Sequence, residues 1–302
     1  MFLFAEGAEE APLIVQFINH YLGEPVYHFE MQTTYKFWQW VFAKIGTTPE
    51  AMFGGPYSPE NAIPWYTIMF VIACLLTVFV VYLLKGKLSS DDPKHGQLTL
   101  ESGYLALSDL VGSIIGDHGA EHFPVVATFA ALILVSNLMG QFPMFQAPTA
   151  SVNVTYALGV SSFIYYNAVG IRQNGLFGHI KHFAGPKLPG LMVIITPLIF
   201  SIELISSSIR PFTLGVRLFA NMFSDEQVFS AITNLAPPYT QFFVPLALTG
   251  LGVFVALVQT LVFTLLSMIY IGEVTHAPHD SHGHADEGTR AEAAAEVAAA
   301  HA

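Results

Sequence analysis

Residues 214–222 read L-G-V-R-L-F-A-N-M, and they place Arg217 inside the longest apolar stretch of the chain, at about residues 189–231. An arginine at membrane depth costs roughly 2.5 to 3.5 kcal/mol even on lenient insertion scales, so it normally faces protein or a water-filled cavity. Its guanidinium group keeps its proton at any physiological pH. We therefore expect Arg217 to act as a fixed positive charge within a membrane.

The composition is that of a membrane protein with several spans. Of the 302 residues, 53% are hydrophobic and only 11% are charged, a balance that soluble domains of this length do not reach. A single cysteine, Cys74, excludes a disulfide framework and a thiolate metal site, and no motif predicts a metal or a bound cofactor. The net charge of -11 leaves no basic surface for nucleic acid. The amino terminus lacks the basic region of a signal peptide, so we expect the transmembrane helices themselves to direct insertion.

Five apolar stretches are each long enough to cross a bilayer as a helix. They cover about residues 65–84, 123–141, 153–171, 189–231 and 241–272. At a rise of about 1.5 Å per residue, the fourth would measure roughly 60 Å, about twice the thickness of the hydrocarbon core. We expect it to tilt strongly or to bend at Pro197 and Pro211, where a backbone donor is missing. The fifth should pair with it as a tilted hairpin.

The few positive charges predict the orientation of the chain. Lysines and arginines follow the first and third stretches, at Lys85, Lys87, Lys94, Arg172, Lys181 and Lys187. Residues 142–152 and 234–240, which follow the second and fourth stretches, contain none. By the positive-inside rule, the amino terminus lies outside and the carboxyl terminus inside. The chain thus divides into an external segment (1–60), a transmembrane domain (61–272) and an internal tail rich in His and Ala (273–302).

Three further segments are predicted not to span. Residues 97–118 repeat leucine and isoleucine at helical spacing but carry Glu101, Asp109 and Asp117, which favours an amphipathic helix on the inner surface over a soluble loop helix. A short amphipathic helix is predicted at about residues 32–45. The histidines of the tail could bind a metal, but a tail with solvated histidines is the preferred interpretation.

The fourth stretch carries one polar stripe. Its members recur every three, four or seven residues, and residues seven apart fall within about 20° of one another on a helix. They are Glu203, Ser206, Ser207, Arg210, Leu214, Arg217, Asn221 and Ser224. A packing seam held by hydroxyl and amide groups would explain the serines, but it would not explain a permanent cation at position 217.

Two carboxylates flank Arg217 along this helix. At a rise of about 1.5 Å per residue, Glu203 lies roughly 20 Å before Arg217 and Glu226 roughly 13 Å beyond it. Carboxylates can pass protons, whereas an arginine cannot. The arrangement predicts two proton paths that a central cation keeps apart.

Three motifs resemble subunit a of the F-type ATP synthase. The first is R-P-F-T-L-G-V-R-L-F-A-N-M at 210–222, followed by Glu226 and, in the last helix, Gln259. The others are S-N-L-M-G-Q-F-P at 136–143 and P-T-A-S-V-N-V-T-Y-A-L-G-V at 148–160. The resemblance covers about residues 65–272.

The resemblance implies an all-α membrane protein with five transmembrane helices and one amphipathic surface helix, the last two spans lying as a tilted hairpin beside a ring of c subunits. Residues 61–272 would then form a proton channel that couples the proton-motive force to ATP synthesis, in a complex that includes b-type peripheral stalk subunits. The membrane would be an energy-coupling one, the inner (plasma) membrane of a bacterium.

Residue by residue, the resemblance implies that Arg217 faces the essential carboxylate of the ring and that Asn221 and Gln259 support it. Glu226 would belong to the outer half-channel and Glu203 to the inner one. Asn137 matches a polar residue near the outer path.

The sequence departs from the family at one pair of positions. Members commonly carry a histidine or glutamate one heptad before the glutamine, where this chain has Gly252, and a small residue or histidine where it has Asp225. Adjacent carboxylates on a helix point about 100° apart, so Asp225 and Glu226 cannot occupy the same place. We hypothesise that Asp225 turns toward the last helix and supplies the titratable group that is missing at Gly252.

Two rival functions come from other classes. A secondary transporter could use Arg217 to bind an anionic substrate, although no internal repeat supports it. A purely structural membrane anchor would leave Arg217 and Glu226 without a purpose. The chain lacks the phosphate-binding motif G-x-x-x-x-G-K-[ST], so we do not expect it to make ATP itself.

Overall fold

The structure, a computed structural model, describes residues 12–47, 62–86, 93–116, 119–142, 145–183, 196–233 and 240–275, together with residues 59 and 89. These ranges hold eight α-helices and a short 3-10 helix at Pro148–Ala150, and no strand occurs within them. The helices are α1 (Leu13–Gln32), α2 (Thr34–Ile45), α3 (Trp65–Lys85), α4 (His95–Ile115), α5 (Gly119–Met139), α6 (Val152–Phe183), α7 (Thr196–Thr233) and α8 (Thr240–Thr275).

Four of the described helices are long and apolar enough to cross a membrane: α3, α4, α5 and the part of α8 from Leu246 to Thr275. The all-α membrane class is therefore confirmed. α3 presents a long row of exposed aliphatic and aromatic side chains, as a helix in lipid does. α4, the predicted surface helix, is the least apolar of the four, and its Glu101 and Asp109 lie at exposed positions. Five spans with α4 on the surface stay a prediction.

The amino-terminal segment contains a helix that the sequence pattern did not reveal. α1 runs through Gly23 and Pro25, two residues that usually interrupt helices. Asn19 attaches it to the start of α3, because its side chain donates to the Ile63 carbonyl oxygen at 3.1 Å and accepts from the Ile63 amide at 3.2 Å. Val15 packs beside them against Ile68 and Met69. α2 matches the short helix predicted at 32–45.

The first three predicted spans correspond to α3, α5 and α6, but α6 is longer than expected. It continues twelve residues past the predicted end at residue 171, with a break in helical geometry at Gly175 (φ 70°, ψ 162°), a conformation that glycine adopts without strain. Just before this break, Asn174 donates to the Val274 carbonyl oxygen at 3.2 Å. The extra length thus joins α6 to the end of α8.

The long fourth and fifth stretches correspond to α7 and α8, which pack against each other. With 38 and 36 residues, they would measure roughly 57 and 54 Å at helical rise, so both exceed the hydrocarbon core. α7 is continuous through Pro211. The bend expected at Pro197 falls at the border of the described residues and stays a prediction, as does the tilt.

One face of α7 is fixed by its contact with α6. Leu214, Leu218 and Met222, spaced four residues apart, are buried in a core that also holds Phe263 of α8. Gly215 allows the close approach, since a Cβ atom there would lie 3.0 Å from the Thr155 carbonyl oxygen. Arg217, Asn221 and Ser224 of the polar stripe are exposed beside this buried face, whereas Leu214, which the spacing also places in the stripe, lies within it.

Candidate functional site

Arg217 lies on the outside of the described helices. Its neighbours Leu214 and Leu218 are buried, whereas the arginine side chain is exposed. Across the described ranges, no hydrogen bond or ion pair engages its guanidinium group. Val216 and Phe223, seven residues apart on a neighbouring face of α7, are also exposed. A permanent cation in this position is suited to meeting a carboxylate on another subunit.

Asn221 and Gln259 lie beside the arginine as a pair. One turn beyond Arg217, the Asn221 Nδ2 atom donates to Gln259 Oε1 at 2.6 Å, which joins α7 to α8. Gln259 is only 2% exposed, and its buried Nε2 atom has no hydrogen-bond partner. Leaving a buried donor unsatisfied costs roughly 1 to 3 kcal/mol, so this amide is available to a ligand or a water molecule.

Asp225 and Glu226 are each held by a glutamine from the connection between α5 and α6. Gln141 Nε2 donates to Asp225 Oδ2 at 3.2 Å, and Gln146 Nε2 donates to Glu226 Oε1 at 2.9 Å. Both carboxylates are half-buried. A single short segment therefore orients two adjacent carboxylates in different directions, one turn beyond Asn221.

Asp225 points at Gly252, as the hypothesis requires. A Cβ atom at position 252 would lie 2.7 Å from Asp225 Oδ2 and 2.5 Å from the Gln141 side-chain amide. The carboxylate and the amide thus fill the space that a side chain at 252 would take. The structure brings the two positions together, and the role of Asp225 in proton transfer stays a prediction.

Asn137 lies in a buried polar cluster near the same end. Its Oδ1 atom accepts a hydrogen bond from the Thr149 hydroxyl at 2.6 Å, and both residues are fully buried. Its Nδ2 atom and the hydroxyl oxygens of Ser136 and Ser151 are buried without a partner. Unpaired polar atoms of this kind are suited to holding water molecules within the protein.

A different arrangement lies on the other side of Arg217. Arg210 forms an ion pair with Glu273 at the end of α8, with Nη2 of the arginine 3.0 Å from Oε1 of the glutamate and a second contact between Nη1 and Oε2. The guanidinium carbon lies 5.2 Å from the centre of the Tyr270 ring. Glu203 belongs to α7, and its side chain lies outside the described residues.

Four residues of the site were not predicted from the sequence. Gln141 lies within the motif at 136–143 but was not distinguished there, and Gln146 and Thr149 lie in a connection without periodicity. Glu273 falls one residue beyond the predicted end of the last span. The available signal was their polarity: each interrupts or directly borders an apolar run.

Comparison with known proteins identifies the family. The ATP synthase A chain family matches residues 67–272. A protein called ATP synthase subunit a from Solibacter usitatus is 38% identical over 222 residues, which cover 72% of this chain and 91% of the relative. A protein with the same name from Trichlorobacter lovleyi is 37% identical, over 70% of this chain and 85% of the relative. Another from Geobacter sulfurreducens is 39% identical, over 67% of this chain and 82% of the relative.

The match leaves out α1 and α2, which lie before residue 67, and the tail after residue 272. It includes Arg217, Asn221, Glu226 and Gln259. Since the match covers more than half of the chain, the protein is an integral membrane component of the ATP synthase complex and belongs to the ATP synthase A chain family.

Proposed function

We propose that this chain is the stationary part of the proton path in the membrane sector of the F-type ATP synthase. It conducts protons through two offset half-channels to and from a rotating ring of c subunits, and so couples the proton-motive force to ATP synthesis without carrying out nucleotide chemistry. The observation that carries this proposal is the Arg217 side chain, exposed on α7 with no partner among the described residues.

The fixed charge accounts for the place at which a proton leaves the ring. A ring carboxylate that faces lipid is protonated, because burial in an apolar medium raises its pKa. Beside Arg217 the positive charge lowers that pKa, and the proton leaves into one of the half-channels. Arginine suits this role better than lysine because it stays charged when it is desolvated, whereas a buried lysine could pass a proton from one half-channel to the other.

The polar groups beyond Arg217 would form the outer half-channel. We assign proton transfer to Glu226 and Asp225, with Asn137 in the buried cluster that could hold water. Asn221 and Gln259 would position the ring carboxylate and Arg217. The glutamine contacts at 3.2 and 2.9 Å support this assignment, because they fix the carboxylates within one wall.

The remaining parts of the proposal concern the inner side and the surroundings. Glu203 would serve the inner half-channel. The chain would contact b-type stalk subunits as well as the ring and lie in a bacterial inner membrane, with its amino terminus outside and its carboxyl terminus inside. An anion transporter is less well supported, since Arg217 lies on the outside of the bundle rather than in an enclosed substrate site.

The tests are ATP synthesis by the whole complex in vesicles and passive proton flux in vesicles that contain this chain with its ring. Arg217→Ala should abolish ATP synthesis and proton-driven rotation while the complex stays assembled, and it should allow a leak between the half-channels because the barrier charge is gone. Arg217→Lys should also fail to couple. Arg172→Ala, which removes an exposed arginine elsewhere on α6, serves as the control and should behave as the parent. Retained ATP synthesis in either Arg217 variant would contradict the proposal.

A further inference from the structure

The Arg210–Glu273 ion pair joins the two long helices on the side of Arg217 away from Asp225 and Glu226. Arg210 precedes Arg217 by seven residues, so both arginines lie on nearly the same face of α7, about 10 Å apart along its axis. The guanidinium group engages both carboxylate oxygens of Glu273. The pair thus lies on the side of Arg217 to which the proposed function assigns the inner half-channel.

The pair is open to its surroundings. The side chains of Arg210 and Glu273 are 20% and 36% exposed, so neither is enclosed in the core. Tyr270 lies against the guanidinium group, and the hydrogen bond from Asn174 to Val274 fixes the adjacent backbone of α8. The carboxylate is therefore held in place at the surface of the described helices and not enclosed in their core.

We propose that Glu273 neutralises Arg210 so that protons can pass on this side of Arg217, an inference that rests on the proposed function. A second uncompensated cation along the path would repel protons by the same Coulomb interaction that makes Arg217 a barrier. The two arginines differ in this respect. Arg217 has no carboxylate partner among the described residues, whereas Arg210 has one on the neighbouring helix. Arg217 separates the half-channels, and Glu273 prevents Arg210 from acting as a second barrier.

The test separates a neutralised charge from a mechanical link between α7 and α8. Passive proton flux is measured in vesicles containing the chain with its ring and stalk. Glu273→Gln keeps the shape of the side chain and removes the carboxylate charge that faces Arg210. It should lower flux about tenfold, as expected for a unit charge about 10 Å from a passing proton at an effective dielectric constant of about 20.

Removing the cation should have little effect. Arg210→Gln should not lower flux by more than about twofold, because the carboxylate that remains at Glu273 attracts a proton rather than repelling it, and because partly exposed ion pairs contribute little to stability. The double variant Arg210→Gln/Glu273→Gln should recover the flux lost in Glu273→Gln, and the exchange Arg210→Glu/Glu273→Arg should also conduct. Asp109→Asn, which removes an exposed carboxylate on α4, is the matched control. The amount of ring that copurifies verifies assembly in every case.

Two results would count against the inference. A mechanical link is broken in either single variant, so equal losses in both, without recovery in the double variant, would overturn the neutralisation and leave the proposed function intact. A parent complex without ring-dependent flux would overturn both proposals.

Discussion

Asp225 fills the space that a larger side chain at position 252 would need. Moving the titratable group from position 225 to position 252 tests whether Asp225 takes part in proton transfer. Asp225→Gly should slow proton conduction from the side of Glu226, because it removes a half-buried carboxylate. Adding Gly252→His should restore part of the flux, since the imidazole enters the vacated space once the flexible Gln141 amide, now 2.5 Å from the Cβ position, moves aside. A double-mutant cycle of flux rates should show a coupling of about 0.5 to 3 kcal/mol.

Strictly additive effects, or normal conduction in Asp225→Gly, would mean that Asp225 is only a polar residue near the end of the site. Gly250→His provides the comparison, because Gly250 lies on the same helix in open space, with nothing within 4 Å of its Cβ position. It should not rescue Asp225→Gly.

Residues on a regular helix were predictable, and residues in a connection were not. Arg217 and Asn221 are conspicuous because placing a polar side chain in a membrane helix costs free energy. Their spacing of four residues also indicates that they share a face of the helix. Gln141 and Gln146 take part in the site only because the chain between α5 and α6 folds back toward α7, which no periodicity indicates. The structure pairs Arg210 with Glu273 on the neighbouring helix, a partner that its place in the polar stripe does not indicate.

At the scale of the helices, the close approach of α6 and α7 depends on Gly215. Gly215→Val should destabilise the folded protein, because the Thr155 backbone leaves no room for the side chain. Overpacking of this kind lowers the free energy of unfolding by about 1 to 3 kcal/mol. Gly250→Ala should be neutral or slightly stabilising, since alanine favours helix over glycine. The unfolding temperature of the purified complex is measured for both variants. If Gly215→Val unfolds at the same temperature as the parent, the close approach of α6 and α7 at Gly215 does not contribute to stability.

The limits of the helices were harder to predict than their existence. α1 was missed because Gly23 and Pro25 usually end a helix, yet the contacts with α3 compensate for them. The end of α6 was placed too early because Arg172, Gln173 and Asn174 mark the border of an apolar run. In the structure the helix continues beyond that border. An apolar run predicts where a chain enters lipid, which need not be where its helix ends.

At the scale of the whole molecule, the number of spans decides the position of the termini. With α4 on the surface, five crossings put residues 144–152 and Lys94 on opposite sides of the membrane. If α4 also crossed, the six crossings would put them on the same side. Single cysteines introduced at the exposed positions 94 and 142, in a Cys74→Ser background, can be labelled from one side with a reagent that does not cross the membrane. Labelling of both from the same side would exclude the five-span arrangement.

The family was recognisable from the sequence because its motif combines a costly arginine with a distant glutamine, and both lie in the matched range. The partners were not recognisable from residues alone, since the carboxylate that we propose for Arg217 belongs to another chain. The amino-terminal helix pair lies before the matched range, so nothing in the family motif predicts how it packs.

The exposed charge of Arg217 also bears on how the protein is made and how long it lasts. A newly inserted chain that presents this cation toward lipid bears a cost of roughly 2.5 to 3.5 kcal/mol until another subunit covers it. That cost is a sizeable part of the 5 to 15 kcal/mol by which a typical protein domain is stable. If the ring covers the cation, as we propose, synthesis of the chain and of the ring should be balanced in the cell. Copies made in excess of the ring should be degraded preferentially by membrane proteases.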